Sequence, residues 1–311
     1  MNSFPLLTII ATLIAQLTTC GTGTSKMDVP ENGPAFIAPS EGFSTYWYQG
    51  KAEVNRYALT QARYGEMRNG DALMVFVTED FLVNEQVKFE GGSKSPKTGV
   101  LKLNWIERFN TGIYDYSLMT SVFSPVDQSP VLKVTCSVQD WCGQAFVQLN
   151  QRKDGYRMES RSYFEQEGDE DKRVGEVWLE DALWNQIRID PVLLPIGNVK
   201  LLPSVRYLQL MHKPHEAVDA LAKREAQGDT TIYAITFPML ERDMTIKYAT
   251  KEPHTIFGWS ETRMDGHGTN AQKLTSIAIL THQVMEPYWG LNSNADDSLR
   301  SSLGMPQMPV R

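Results

Sequence analysis

The sequence predicts a mainly β protein: one large, curved antiparallel sheet or open barrel, with one central and one C-terminal helix. Three observations point there. Apolar residues recur at every second position over many segments, turn-forming residues separate those segments, and only a few stretches carry a helical period with matching end signals. Many strands with few helices imply a sheet that curls on itself, with a helix packed across one face or mouth.

Along the chain, the first strong hairpin signal is Asn69-Gly70, just ahead of the apolar run Ala72 to Val77, because both central residues of a type I′ turn need positive φ. Gly91-Gly92 punctuates the next pair of strands. Leu101, Leu103 and Trp105 then alternate with their neighbours. Tyr114, Tyr116, Leu118, Thr120 and Val122 line one face of the following strand against Asp115, Ser117 and Ser121. Leu132, Val134, Cys136 and Val138 repeat the pattern, and Asp154-Gly155 marks another hairpin.

Glu176 to Arg188 carries Leu179, Leu183 and Ile187 at steps of four, has acids in its first turn and stops before Pro191, which predicts the central helix. His215 to Ala226 reads either as a helix stopped by Gly228 or as a polar edge strand. Met244, Ile246 and Tyr248, then Phe257 and Trp259, return to the period of two. The C-terminal helix is predicted over Ala295 to Leu303, with Ser293 or Asn294 as N-cap, Asp296 and Asp297 in the first turn and Gly304 just past the end. The strands number roughly a dozen on this pattern. No fixed-period repeat is visible, and the middle helix divides two strand-rich halves near residues 170–195.

Ahead of all this, Phe4 to Leu17 is an uncharged stretch of about 14 residues, short of the ~20 that a spanning helix needs. It ends in Leu17-Thr18-Thr19-Cys20, which reads as a bacterial lipoprotein signal: residues 1–19 are removed and Cys20 is lipidated. The alternative is a short uncleaved anchor. Several acyl chains on one cysteine give durable membrane attachment where a single chain does not. Gly21 stands where an Asp would be the usual inner-membrane retention signal, so the resemblance to bacterial lipoproteins implies the outer membrane, with the body facing the periplasm or the surface. Residues 20–41 are rich in Gly, Thr, Ser and Pro and read as a flexible tether. Residues 42–311 form the β-rich globular part.

The formal charge is −7, from 37 acidic against 30 basic residues. That balance argues against nucleic acid, whose phosphates call for a basic footprint.

Cys136 and Cys142 sit in what would be an oxidising compartment, so a disulfide between them is one candidate. It requires a turn over Val138-Gln139-Asp140 to bring them opposite each other. The other candidate is Cys142 as a nucleophile activated by a histidine, within Gln139-Asp140-Trp141-Cys142-Gly143; the second cysteine of a C-x-x-C pair is missing, since position 145 is Ala. A buried or bridged structural cysteine is the simpler reading. His212 and His215 have near-ligand spacing beside Glu216, but Pro214 breaks a helical presentation and no metal is implied. His254, His267 and His282 complete the histidines. No phosphate loop, G-x-S-x-G serine or dinucleotide fingerprint is present, and no cofactor is implied. Trp47, Trp105, Trp141, Trp178, Trp184, Trp259 and Trp289 suit sheet packing, or collectively the lining of an apolar pocket.

Several segments carry a family resemblance: Tyr46-Trp47-Tyr48-Gln49-Gly50-Lys51-Ala52-Glu53, Gln61-Ala62-Arg63-Tyr64-Gly65-Glu66, Phe76-Val77-Thr78-Glu79-Asp80-Phe81, Phe109-Asn110-Thr111-Gly112-Ile113-Tyr114, Ser137-Val138-Gln139-Asp140-Trp141-Cys142-Gly143 and Ser293-Asn294-Ala295-Asp296. The chain resembles uncharacterised bacterial lipoproteins that often carry the label septum formation inhibitor Maf. True Maf proteins are cytosolic nucleotide pyrophosphatases with a Ser-x-Ser-Pro-Arg-Arg motif, which this chain lacks. The resemblance implies no activity. The expected function is a lipid-anchored, non-catalytic envelope protein that binds a hydrophobic or glycan ligand, or an envelope partner. The alternatives are an envelope enzyme using Cys142 and a purely structural envelope module.

Overall fold

Alternation of inward and outward side chains, extended through the whole chain, produces a single sheet of 15 strands. The computed structural model describes residues 38–306; the signal sequence, Cys20 and most of the tether lie outside the described residues. A short helix α1 (Glu41–Trp47), capped by the Ser40 hydroxyl on the Phe43 N–H, leads into β1 (Ala52–Arg63), β2 (Glu66–Leu82), β3 (Lys97–Thr111), β4 (Tyr114–Pro125), β5 (Lys133–Gln139), β6 (Gln144–Arg152), β7 (Gly155–Ser162) and β8 (Glu170–Val174). Each pairs antiparallel with the one before. The second run comprises β9 (Trp178–Leu179), a 3-10 turn (Glu180–Ala182), α2 (Leu183–Ile189), β10 (Gly197–Leu202), α3 (Val205–Leu210), β11 (Val218–Gln227), β12 (Thr230–Phe237), β13 (Arg242–Ala249), β14 (Ile256–Asp265) and β15 (Gln272–Glu286). The two strand-rich halves are thus two meanders of one sheet, zipped along β1 and β15.

The sheet curls because the chain leaves it little choice. β8 is one edge and β9 the other, yet Val174 and Trp178 are separated by three residues. Four Cα steps of 3.8 Å span at most about 15 Å. Opposite edges therefore nearly meet, giving an open barrel.

Its interior is filled by the chain itself. α3 is buried on every side, and six of the seven residues of α2 are buried, Gln186 excepted, which is the signature of helices without a solvent face. Trp184 of α2 packs edge-on against Trp105 of β3 and Trp259 of β14, with ring centroids 4.5 and 5.3 Å apart. Asn185 donates to the carbonyl oxygen of Leu101 and to Ser124. The 3-10 turn with α2 and, after the wall strand β10, α3 form a plug.

Buried ion pairs tie this plug to the walls. Arg188 grips Glu53 of β1 with two N–H groups, Arg206 pairs with Glu107 of β3, and Arg242 of β13 donates twice to Glu180 at 2.6 Å while its Nε bonds Glu261. Arg263 pairs with Asp265. Burial raises the Glu261 carboxyl, but the guanidiniums of Arg242, Arg263 and Arg206 outweigh it and hold it at about 2.

Asp181 behaves oppositely. It accepts from the Ser204 hydroxyl at 2.6 Å and the Val205 N–H at 2.9 Å, yet burial pushes its pKa from 3.8 to about 6. Between those values the folded protein holds a proton that the unfolded chain has released. This group's contribution is complete below about pH 3.8 and lost as pH rises through about 6. Asp181→Asn is expected to remove a decline in stability on the order of 3 kcal/mol over that window, read by urea unfolding at a series of pH values.

Several expectations need correction. Asn69-Gly70 is not a turn; both residues lie inside β2, paired with Thr60 and Leu59. The hairpin turns at Tyr64-Gly65 instead. Gly70 is required by close approach, because a Cβ there would meet the Arg108 carbonyl oxygen at 2.2 Å. The predicted helix over Glu176 to Arg188 begins only at Leu183, since Leu179 is spent on pairing with Leu202. His215 to Ala226 supplies β11, a strand bonded on both sides. Phe257 and Trp259 do not share a fate: a register shift opposite Lys247 and Tyr248 leaves Phe257 exposed and Trp259 buried. The C-terminal element spans Asn294–Leu303 with Ser293 and Gly304 at its ends, as predicted, but it is a 3-10 helix. α1 and α3 were not anticipated.

Candidate binding site at the barrel mouth

Five segments meet at the end of the barrel where β1, β3, β5 and β7 finish: the turns Tyr64-Gly65, Gly112-Ile113 and Asp140 to Gly143, the loop from Tyr163 to Asp169, and the chain leaving α3. Following the ladder pairings, the second turn lies two residues below the first and the third two residues below the second. Two residues are ~7 Å of strand against a lateral step of ~10 Å for two strands. The resulting slope of about 35° matches the tilt at which sheets close into barrels. The tips therefore lie near one level.

Each tip displays a large apolar side chain. Ile113 is 82% exposed, Trp141 69% and Tyr163 66%, with Tyr64 at the margin of exposure. The Tyr163 ring lies over Gly143, where an added Cβ would meet it at 2.6 Å, so the third and fourth tips touch. Between them sits a cavity of about 20 Å³ lined by Arg63, Tyr116, Asp140, Gly143, Gln209 and His212, among others. That is room for about one water molecule.

Arg63 is buried at the base of this mouth. It donates to the Leu210 carbonyl oxygen and, at 3.0 Å, to the Tyr116 hydroxyl; Tyr64 and Tyr116 share a hydrogen bond of 2.7 Å, and the guanidinium lies over both rings. Burial raises the Tyr64 phenol, but hydrogen bonds from Tyr114 and Tyr116 and the Arg63 charge leave it below its ordinary value.

Cys142 is exposed in the third tip, where the Asp140 carboxylate accepts its backbone N–H at 2.6 Å and that of Gly143 at 3.1 Å. The four-residue turn runs from Asp140 to Gly143 between the paired Gln139 and Gln144. This corrects the turn placed at Val138 to Asp140, and with it the candidate bridge. Cys136 pairs across to Val147, and both cysteines are free. Cys136 accepts from Thr120 in the core, where burial pushes its thiol up to about 12. Such a thiol is inert at neutral pH.

The mouth does bring His212 near the Cys142 turn, but His212 bonds Glu167 through Nδ1 at 2.5 Å and stands edge-on to Phe164. No hydrogen bond reaches the Cys142 sulfur among the described residues. His215 is buried against Gln209 at 3.1 Å, and burial lowers its pKa. His254 bonds the Ala249 carbonyl oxygen and His282 the Thr281 hydroxyl. His267 precedes a short 3-10 turn. Glu167 and Arg63 carried no local sequence signal of a site; what distinguishes them is the company that folding gives them.

A second depression, of about 480 Å³, lies at the opposite end across β6 to β8, lined by Arg152, Arg157, Asp171, Lys172 and Arg173. Arg157 pairs with Asp171 and Glu159, Lys172 with Glu170, and Arg173 with Asp154. Its basic side chains are largely neutralised.

The tryptophans are spread over core, mouth and the far end, where Trp289, just after β15, is 50% exposed. Trp47, Trp105, Trp184 and Trp259 are packed in the core, and Trp141 stands free at the mouth.

No family model matches this chain, and no curated protein matches it. A similar solved structure is a crystal structure of a β-barrel-like protein of the domain of unknown function DUF1849 from Brucella abortus. It is 7% identical, with a TM-score of 0.38 over 76% of this chain and 98% of that one.

Proposed function

We propose that this protein is a lipid-anchored, non-catalytic module of the bacterial cell envelope, held through acylated Cys20 and preferentially at the outer membrane, and that it binds a hydrophobic ligand or envelope partner at the barrel mouth. The observation that carries this reading is the distribution of aromatic and apolar side chains. Inside the barrel they are consumed by the plug, whereas Ile113, Trp141 and Tyr163 stand exposed on neighbouring tips at one level. Contiguous exposed apolar surface marks interaction sites, and Trp and Tyr are the residues that most often anchor contacts. A glycan would be held by the same aromatic faces.

A photo-reactive label attached to exposed Cys142 in intact cells tests the contact. The doubly substituted Ile113→Ser/Trp141→Ser chain is expected to keep its stability to within about 0.5 kcal/mol per site, as surface changes do, and to lose the cross-links that the unsubstituted chain forms. An unchanged cross-link pattern would sink the contact. Intact-mass analysis tests the anchor separately: an unmodified Cys20 thiol on protein from the cytosolic fraction would overturn it.

A further inference from the structure

We infer that Arg63 is a recognition group for a carboxylate that enters the mouth from outside. Five arginines are deeply buried in the described residues, and four have acidic partners: Arg188 with Glu53, Arg206 with Glu107, Arg242 with Glu180 and Glu261, and Arg263 with Asp265. Arg63, 7% exposed, has no carboxylate within 4 Å among the described residues. Its charge is met only by a carbonyl oxygen and two phenols, and its Nε–H has no partner. A buried charge without a counter-charge is costly to keep, so a site that retains one is arranged for an anion.

The surroundings narrow the anion. The cavity beside Arg63 has room for about one water-sized atom, so it takes one oxygen of an incoming oxyanion, and a planar carboxylate needs less clearance at the rim than a tetrahedral phosphate. Gln209 lines the same cavity with an unpartnered Oε1 while its Nε2 faces His215 Nε2. Amide orientation is set by the surrounding network. With the amide reversed, His215 donates to Oε1 through its Nε2–H, and the NH₂ group takes the unpartnered position in the cavity that Arg63 also lines. The Tyr116 hydroxyl adds a donor to the cavity once Tyr64 supplies the proton of their shared hydrogen bond in its place. Asp140, the acid on the opposite wall, is engaged by the N–H groups of its own turn. Guanidinium, amide and phenol donors converging on one oxygen-sized space are a carboxylate's complement. The inference takes from the proposed contact surface only its accessibility, and its test reads the arginine alone.

The experiment follows the Arg63 Nε–H resonance of the ¹⁵N-arginine-labelled full chain, assigned by its loss in Arg63→Lys, during titration with sodium formate against sodium chloride at equal ionic strength. The expected result is a saturable shift confined to Arg63, with half-saturation at about millimolar formate, the range open to a three-atom ligand. Tyr116→Phe, which removes one hydroxyl from the site, is expected to weaken binding about threefold to tenfold and gives a readout if Arg63→Lys does not fold. Two results would overturn the inference. One is no saturable shift with formate. The other is a phenolate absorbance at 295 nm, present at pH 7 and lost in Tyr64→Phe, since the counter-charge would then be internal. Neither result bears on cross-linking from Cys142.

Discussion

Replacing Arg242 by methionine is expected to cost about 3–5 kcal/mol of folding stability, a large share of the 5–15 kcal/mol typical of a domain. Arg242 is 1% exposed and donates three hydrogen bonds, two to Glu180 of the plug and one to Glu261 of β14. Truncation leaves the Glu180 carboxylate buried with only the Ser204 N–H, while Glu261 retains Arg263 at 3.5 Å. The cost is that of an orphaned buried charge more than of a lost attraction. A second substitution therefore makes the argument checkable: Arg242→Met/Glu180→Leu, which removes the orphan, is expected to recover most of the loss. Urea unfolding of the three chains decides it. A single variant within about 1 kcal/mol of the parent, the worth of one neutral hydrogen bond, would show that the pair does not hold the plug.

Trp184→Ala is expected to cost about 3–5 kcal/mol for a different reason. The indole is 1% exposed at the centre of the barrel, edge-on to Trp105 and Trp259, which themselves lie 5.0 Å apart. Removing it deletes the contact that joins α2 to both β3 and β14 and opens a void the surrounding strands cannot close without breaking their ladders. The near-UV circular dichroism of the indole cluster should fall with the melting temperature. If a chain carrying this change still folds, its interior should accept a small apolar guest such as benzene, as dry engineered cavities do. Unchanged stability would mean that the barrel is held by its ladders alone.

Much of the sheet was legible because strand burial is a local property. Tyr116, Leu118, Thr120 and Val122 are buried where alternation placed them, and Leu132, Val134 and Cys136 likewise. The C-terminal element starts at its Ser293 cap and stops at Gly304 because capping acts over three or four residues. Local signals failed where a distant partner reused the same residue. Gly70 serves a backbone approach by β3, not a turn; Leu179 joins β10 although its spacing from Leu183 and Ile187 is helical. Of the mouth, the Cys142 segment was visible as a motif, whereas its conversion into an ordinary turn by Asp140 was not. Arg63 looked like any polar residue at a strand end.

From its order of residues alone, this chain indicated many of its strands and their inward side chains, and a mainly β fold built as a large curved antiparallel sheet or open barrel with few helices. Those properties follow from the two-residue pleat and from end signals a few residues long. Folding in three dimensions decided that the two sheet edges nearly meet, that α2 and α3 fill the interior the sheet encloses, and which arginine faces which acid. Arg188 and Glu53 are 135 positions apart and Arg206 and Glu107 99 apart. Pairing at such separations depends on how strands tilt and close, which no short-range pattern encodes.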